Sequence, residues 1–278
     1  MSTSAIAIAK EPLVDALVVE WASIDELLAS LDADEWDRPT SLPGWTVRDV
    51  VAHLIGTESM LAGVDAPGEE PPAGSDRPAH VKNDIGAFNE RWVEGLRTDP
   101  PAAVHDRFRQ IVATRTEALR AMTQEDFDAE SWTPAGQATY GRFMQIRVFD
   151  CWLHEQDIRD AVGRPGHESG PCAEESIDEV VRALGFLVGK RAKAPAGSRV
   201  TVELTGPVER ALHVAVDGRA SVVDQLDRPA TTTVRMPAPL FIRLAGGRES
   251  VEDHRDEITI EGDQDLGSRV ASSLAYTI

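Results

Sequence analysis

Asp150, His154 and Asp157 stand in the stretch FDCWLHEQDIRDAVGRPG, residues 149–166. At about 100° per residue these three side chains fall within about 60° of one another on a helix. Phe143, Ile146 and Ala161 share that face, so the polar cluster points where the apolar side chains point. Carboxylates buried beside an imidazole are costly unless they are paired, hydrogen-bonded or bound to a metal. His53, at the margin of the apolar stripe of an earlier helix, is the candidate partner. His53, Asp150 and His154 make a two-histidine, one-carboxylate set, which leaves coordination positions open, as a catalytic zinc or similar divalent ion requires. Asp157 is expected as a fourth ligand or as the acceptor that orients a histidine ring. The competing reading makes Asp150 and His154 a helix-surface pair worth about 0.2–0.5 kcal/mol, with His53 an ordinary hydrogen-bonded histidine. Spacing alone leaves both open.

The elements that must position this set are mostly helical. Leu13, Leu17, Trp21, Ile24, Leu28 and Leu31 recur at steps of three and four, predicting a helix over 9–31. The turn SLPGW precedes Thr46, which can cap a second helix with Asp49 in capping-box position. A third helix is expected over 83–96. A fourth follows TDPP at 98–101, where Asp99 can cap, and Arg115 breaks its apolar stripe. The helix carrying the polar cluster is expected over 140–162, stopped by Gly163 and Pro165, and another over 173–190. Residues 64–80, rich in Pro, Gly and acid, read as a loop able to cover the site. Residues 191–199 read as a linker. Beyond it the period changes to two: RVTVEL, ALHVAV, TTTVRM and EITIEG read as strands, with a tight turn at Asp217-Gly218. PAPLFIRLAGGR and DLGSRVASSLAYTI read as helices. The expected organisation is a helical bundle over 1–190 and a small α+β domain over 200–278.

Composition narrows the function. Among 278 residues, 42% are hydrophobic, enough for a real core. Lys and Arg number 28 against 47 Asp and Glu, a formal charge of −19, which repels nucleic acid and anionic membrane. The N-terminal stretch has no basic n-region, and no run of about 18 apolar residues predicts a span. Two cysteines, Cys151 and Cys172, build neither a disulfide framework nor a four-cysteine metal site, so a reducing cytoplasm is the expectation. Cys151 lies off the face of the cluster and reads as an inert core thiol. No nucleophile elbow, phosphate loop or dinucleotide fingerprint occurs.

SLPGWTVRDVVAHLIGTE, residues 41–58, resembles the N-terminal signature of the mycothiol-dependent maleylpyruvate isomerase family, and FDCWLHEQDIRDAVGRPG resembles that family's second metal motif. The order of parts matches too, and LFIRLAGGR adds a weaker match near the C-terminus. The resemblance implies a DinB-like four-helix bundle followed by a small sterol-carrier-like α+β domain. It implies a divalent metal, usually zinc, on His53, Asp150 and His154, with Asp150 where the family pattern has Glu. It implies mycothiol, a thiol of actinobacteria, as cosubstrate and a small electrophile as its partner, in isomerisation or S-transfer. The alternative is a non-catalytic metal- or small-ligand-binding protein of the same fold. A thiol adduct of a small acid is anionic, so the site of an acidic chain needs its own cations. Arg147, one turn before Asp150, is the candidate at the metal, with Arg243 and Arg248 the second domain's candidates for holding the thiol or its adduct.

Overall fold

The computed structural model describes residues 8–67 and 77–277; residues 68–76 of the stretch expected to cover the site lie outside the described residues. The described chain divides into two compact units, up to Gly166 and from His167 onward.

The first unit is built on α1 (Lys10–Ala29), α2 (Val47–Leu61), α3 (Asp84–Leu96), α4 (Pro101–Ala121), α5 (Gln124–Asp128), the strands β1 (Glu130–Thr133) and β2 (Gly136–Thr139), and α6 (Tyr140–Val162). α1, α2, α4 and α6 pack in a ring, each against two of the others, and α3 lies against α2. The periodicity of α1 puts Leu13, Leu17, Trp21, Ile24 and Leu28 in the core. Thr46 and Asp49 form the expected capping box at the start of α2. α4 departs from expectation: it begins at Pro101 with no side-chain cap, and Asp99 instead lies 3.8 Å from Arg107. The antiparallel β1–β2 hairpin, unmarked by periodicity because each strand has four residues, leads directly into α6, whose first turn Thr139 caps.

The second unit holds α7 (Pro171–Phe186), β3 (Arg199–Thr205), β4 (Arg210–Asp217), β5 (Arg219–Val223), β6 (Thr232–Pro237), α8 (Ala238–Ala245), β7 (Thr259–Gly262) and α9 (Gln264–Ser272). The sheet order is β5-β4-β3-β6-β7, antiparallel except where β3 and β6 run parallel. This is the α+β domain expected after the bundle, but it starts earlier. α7, expected in the bundle, packs on the sheet: Gly185, with Gly189 in the helical turn that follows, lets the chain approach so closely that Ala220 of β5 lies within 3.0 Å of where their Cβ atoms would be. Residues 191–199, read as a linker, are part of this packing. Ala192, Ala194, Ser198 and Arg199 are buried, and Arg199 reaches Asp217 and Asp227. Small, basic composition resembles a linker, yet here it serves close approach and an ion-pair clamp. Among the described residues no helix is long and apolar enough to cross a membrane.

α2 packs closely on α3. A Cβ at Gly56 would sit 2.4 Å from Cγ of Trp92. Gly56→Ala is expected to lower unfolding free energy by about 1–3 kcal/mol through overpacking, read as a reduced midpoint in denaturant titration. An unchanged midpoint would show that α3 moves aside at no cost.

Candidate metal centre

α2 and α6 bring the sequence-predicted set together. Nε2 of His53 lies 3.2 Å from Oδ2 of Asp150, and Nε2 of His154 lies 3.6 Å from its Oδ1. One ligand atom from each of the three lies within 4.8 Å of the others, and the imidazole centroids are 4.7 Å apart. Both histidines are buried, whereas the Asp150 side chain keeps 31% exposure and opens on a cavity. Asp157 is buried beneath them. Its Oδ2 is 2.9 Å from Nδ1 of His154 and its Oδ1 accepts a hydrogen bond from Ser41 Oγ at 2.9 Å. A carboxylate on Nδ1 keeps the proton there and turns the Nε2 lone pair toward Asp150. His53 has no such guide: its Nδ1 is buried without a hydrogen-bond partner, so what binds at Nε2 decides where its proton sits. Two imidazole nitrogens and a carboxylate oxygen, converging at this spacing, fit a divalent ion of the zinc type.

Arg147 does not stand at the rim with a free fork. It is 2% exposed and committed on all three nitrogens: Nε donates to Glu58 Oε1 at 2.8 Å, Nη1 to Asp150 Oδ2, and Nη2 to Cys151 Sγ at 3.2 Å. Arg115 explains its own place in the core by donating from Nε to Glu58 Oε2 at 2.9 Å and from Nη2 to Tyr140 Oη at 2.8 Å. Arg243 and Arg248 belong to the second unit, where Nη1 of Arg243 lies 3.4 Å from Glu168 Oε1 and Nη1 of Arg248 donates to Gly246 O at 2.5 Å.

Electrostatics follow this wiring. Burial by itself raises the Asp150 carboxyl, but Arg147 and the two imidazoles outweigh it and hold the group well below the usual range. Burial pushes the His53 imidazole down, against the pull of Asp150, which keeps it neutral and ligand-competent near neutral pH. Burial pushes the Cys151 thiol well up, so it is a core thiol and no nucleophile.

Several residues around the cluster were invisible as such in the sequence. SLPGW, read only as a turn, supplies Ser41 to Asp157 and lays Trp45 over the imidazoles, 5.4 Å from the His53 ring and 6.4 Å from that of His154. Gly44 takes φ +82° there, with His80 Nδ1 3.0 Å from its would-be Cβ, which only glycine allows. Beside Asp150 opens a cavity of about 290 Å³, walled by residues of α2, α3, α6 and the β1–β2 hairpin. Trp132, on the hairpin that periodicity missed, is 52% exposed at this wall.

The family model described as the Mycothiol maleylpyruvate isomerase N-terminal domain matches residues 17–159, and the MDMPI C-terminal domain matches residues 174–269. An uncharacterized protein of Mycobacterium tuberculosis (strain ATCC 25618 / H37Rv) is 28% identical over 198 residues, 70% of this chain and 74% of that protein. Of solved structures, the crystal structure of the mycothiol-dependent maleylpyruvate isomerase superposes with a TM-score of 0.57 at 18% identity, over 91% of this chain and 93% of that one. At that identity the likeness is one of fold.

Two outcomes follow from the geometry. Asp157→Asn removes the charge that holds the proton on His154 Nδ1, and is expected to weaken divalent-metal affinity about 10–100-fold in competition with a chelator. Unchanged affinity would remove Asp157 from the site. The second outcome concerns metal-free protein. His53 and Asp150 both have depressed pKa values in the folded state, so the stability they contribute is present above their unfolded values, about 6.5 and 3.9, and is lost as pH falls. His254, raised by hydrogen bonds to Glu257 and Glu249, slopes the other way: its contribution is full below about 6.5 and fades as pH rises. Comparison with His53→Gln isolates the first effect. The Tm change on acidification from about pH 7.5 to 5.5, around the imidazole value, should be more destabilising in the parent than in the variant. Equal changes would show that His53 is not buried neutral.

Proposed function

The chain belongs to the mycothiol-dependent maleylpyruvate isomerase family, and on that premise we propose that it is a thiol-dependent enzyme that works on a small electrophile with a divalent metal, zinc by its donor set, on His53, Asp150 and His154. The observation that carries this reading is the convergence of those three ligand atoms at the mouth of a cavity. A divalent ion bound there would lower the pKa of a thiol and hold it as thiolate near neutral pH.

The chain's own groups have distinct parts in this. Asp157 keeps His154 in the ligating tautomer. Trp45 shields the two imidazoles from water on one side. Arg147, anchored by Glu58, offsets the charge of Asp150 and fixes its Oδ2, leaving Oδ1 turned toward His154. Thiolate attack on a conjugated double bond forms a C–S bond and moves the electron pair onto the carbonyl. In isomerisation the former double bond rotates, the pair returns and the thiolate leaves. In S-transfer the adduct is protonated and stays. Mycothiol is the thiol the family points to.

A second reading, a non-catalytic binder of the same fold, is favoured by one observation: Arg147 already engages Asp150, as a counter-ion would in a site built without metal. Metal analysis followed by thiol-consumption assays with conjugated electrophiles separates the two. The enzyme reading expects about one divalent ion per chain, as for a site with three protein ligands, and joint loss of metal and turnover in His154→Ala. Stoichiometric metal with no turnover supports the binder, and metal content unchanged in His154→Ala refutes the ligand set.

A further inference from the structure

The cavity beside Asp150 has a character that the family's eponymous substrate, a dicarboxylate, does not match. Its walls are Met60 of α2, Ile85 and Phe88 of α3, Trp132 of the hairpin, and Phe143 and Ile146 of α6. Its charged lining residues are Asp84, Asp150 and Arg147. Two of these are acids. The third, Arg147, is neutralised by Glu58 and Asp150 and has no nitrogen left over. Asp84 is itself exposed and paired with Arg77 at 2.8 Å. A dianion entering here would meet two acids at the wall and no uncommitted side-chain cation among the described lining residues. A metal on His53, Asp150 and His154 would offer a partner to one carboxylate at the mouth, and the second, desolvated against the apolar wall, would have none, which is costly.

The apolar surface, by contrast, is poised. Trp132 is 52% exposed and Ile85 40%, although both belong to the wall of one cavity. Trp132 meets Phe143 in a T-shaped pair, with centroids 6.1 Å apart and planes at 84°, and the half of its surface that stays exposed is open to another ring. A cavity of about 150 Å³ holds benzene, so about 290 Å³ has room for one ring with a short conjugated tail. Such a ligand would lie against the aromatic wall with its reactive carbon toward Asp150, where the metal reading places the thiol.

We propose that this pocket selects uncharged, apolar conjugated electrophiles the size of a single substituted ring, with Trp132 as the specificity-determining wall. The proposal rests on the enzyme reading for the reaction but not for the pocket.

The test uses full-length, metal-loaded protein and a matched set of compounds. Benzylacetone and its ring-carboxylated analogue are unreactive and report binding by calorimetry. Benzylideneacetone and its ring-carboxylated analogue are conjugated and report thiol conjugation through kcat/KM. The uncharged member of each pair should win by at least about tenfold, and Trp132→Ala should weaken benzylacetone binding by about tenfold. Metal content should stay as in the parent. Ile85→Ala, on a different element, should weaken benzylacetone binding in the same direction, so that the result does not hang on the hairpin's integrity. Equal or better binding of the carboxylated compound, absence of binding by both, or indifference of benzylacetone binding to Trp132→Ala would each overturn the proposal. If the binding preference holds while neither conjugated compound is turned over, the pocket assignment stands and the enzyme reading falls. If carboxylated compounds are the better substrates, the enzyme reading stands and the pocket assignment falls.

Discussion

Glu58 of α2 lies between two guanidinium groups, with Arg115 of α4 at 2.9 Å on one oxygen and Arg147 of α6 at 2.8 Å on the other. All three side chains are at most 3% exposed. Three elements of the helical ring are thereby tied through one carboxylate. Such a cluster need not be more stabilising than a well-packed apolar substitute, because each ion is desolvated; removing one partner, however, strands a buried charge at a cost of about 3–5 kcal/mol. The cluster therefore specifies as much as it stabilises. Sliding α6 by a turn against α2 would break it, and the same register is what sets His53 opposite His154.

The cluster continues into the site. Arg147 passes its charge to Asp150, which faces both imidazoles, and Asp157 closes the series below His154. With neutral histidines, two arginines stand against three carboxylates, a net of one negative charge drawn from these groups. A divalent cation at the histidines would thus be received by a surplus of negative charge that the core has already confined. The short Asp150 side chain meets Arg147 one turn away on the same helix while still presenting an oxygen to His154.

Much of this was legible in the sequence where a residue type and a helical period agree. The face shared by Asp150, His154 and Asp157 required only the angle per residue, and the capping box at Thr46 only its spacing. Arg115 was legible as an anomaly, a cation on an apolar stripe, but its meaning required knowing that Glu58 and Arg147 lie across from it. Pairing between helices has no period to read. The β1–β2 hairpin, with strands of four residues, is too short for alternation to show, and with it went Trp132. The domain boundary failed for a different reason: small and basic residues at 191–199 mimic a flexible connection, and only the burial of Ala192 and Ala194 and the clamp of Arg199 on Asp217 and Asp227 reveal that they are there for contact. Trp45 is the subtlest case, since a tryptophan closing a Pro-Gly turn carries no sign that it will lie on two imidazoles.

Glu90 of α3 accepts from the indole Nε1 of Trp45 at 3.1 Å, lies 2.9 Å from Nε2 of His80, and lies 3.5 Å from Nη2 of Arg97. The ring over the histidine pair thus takes its position from α3, the same helix whose Ile85 and Phe88 form one wall of the cavity. The indole over the histidine pair and one wall of the cavity are mounted on one strut. A change that widens the cavity by moving α3 also shifts the indole from the imidazoles. Cavity width and the environment of the imidazoles are therefore mechanically coupled, and the change that enlarges one without disturbing the other is the trimming of a single wall side chain with the helix left where it is.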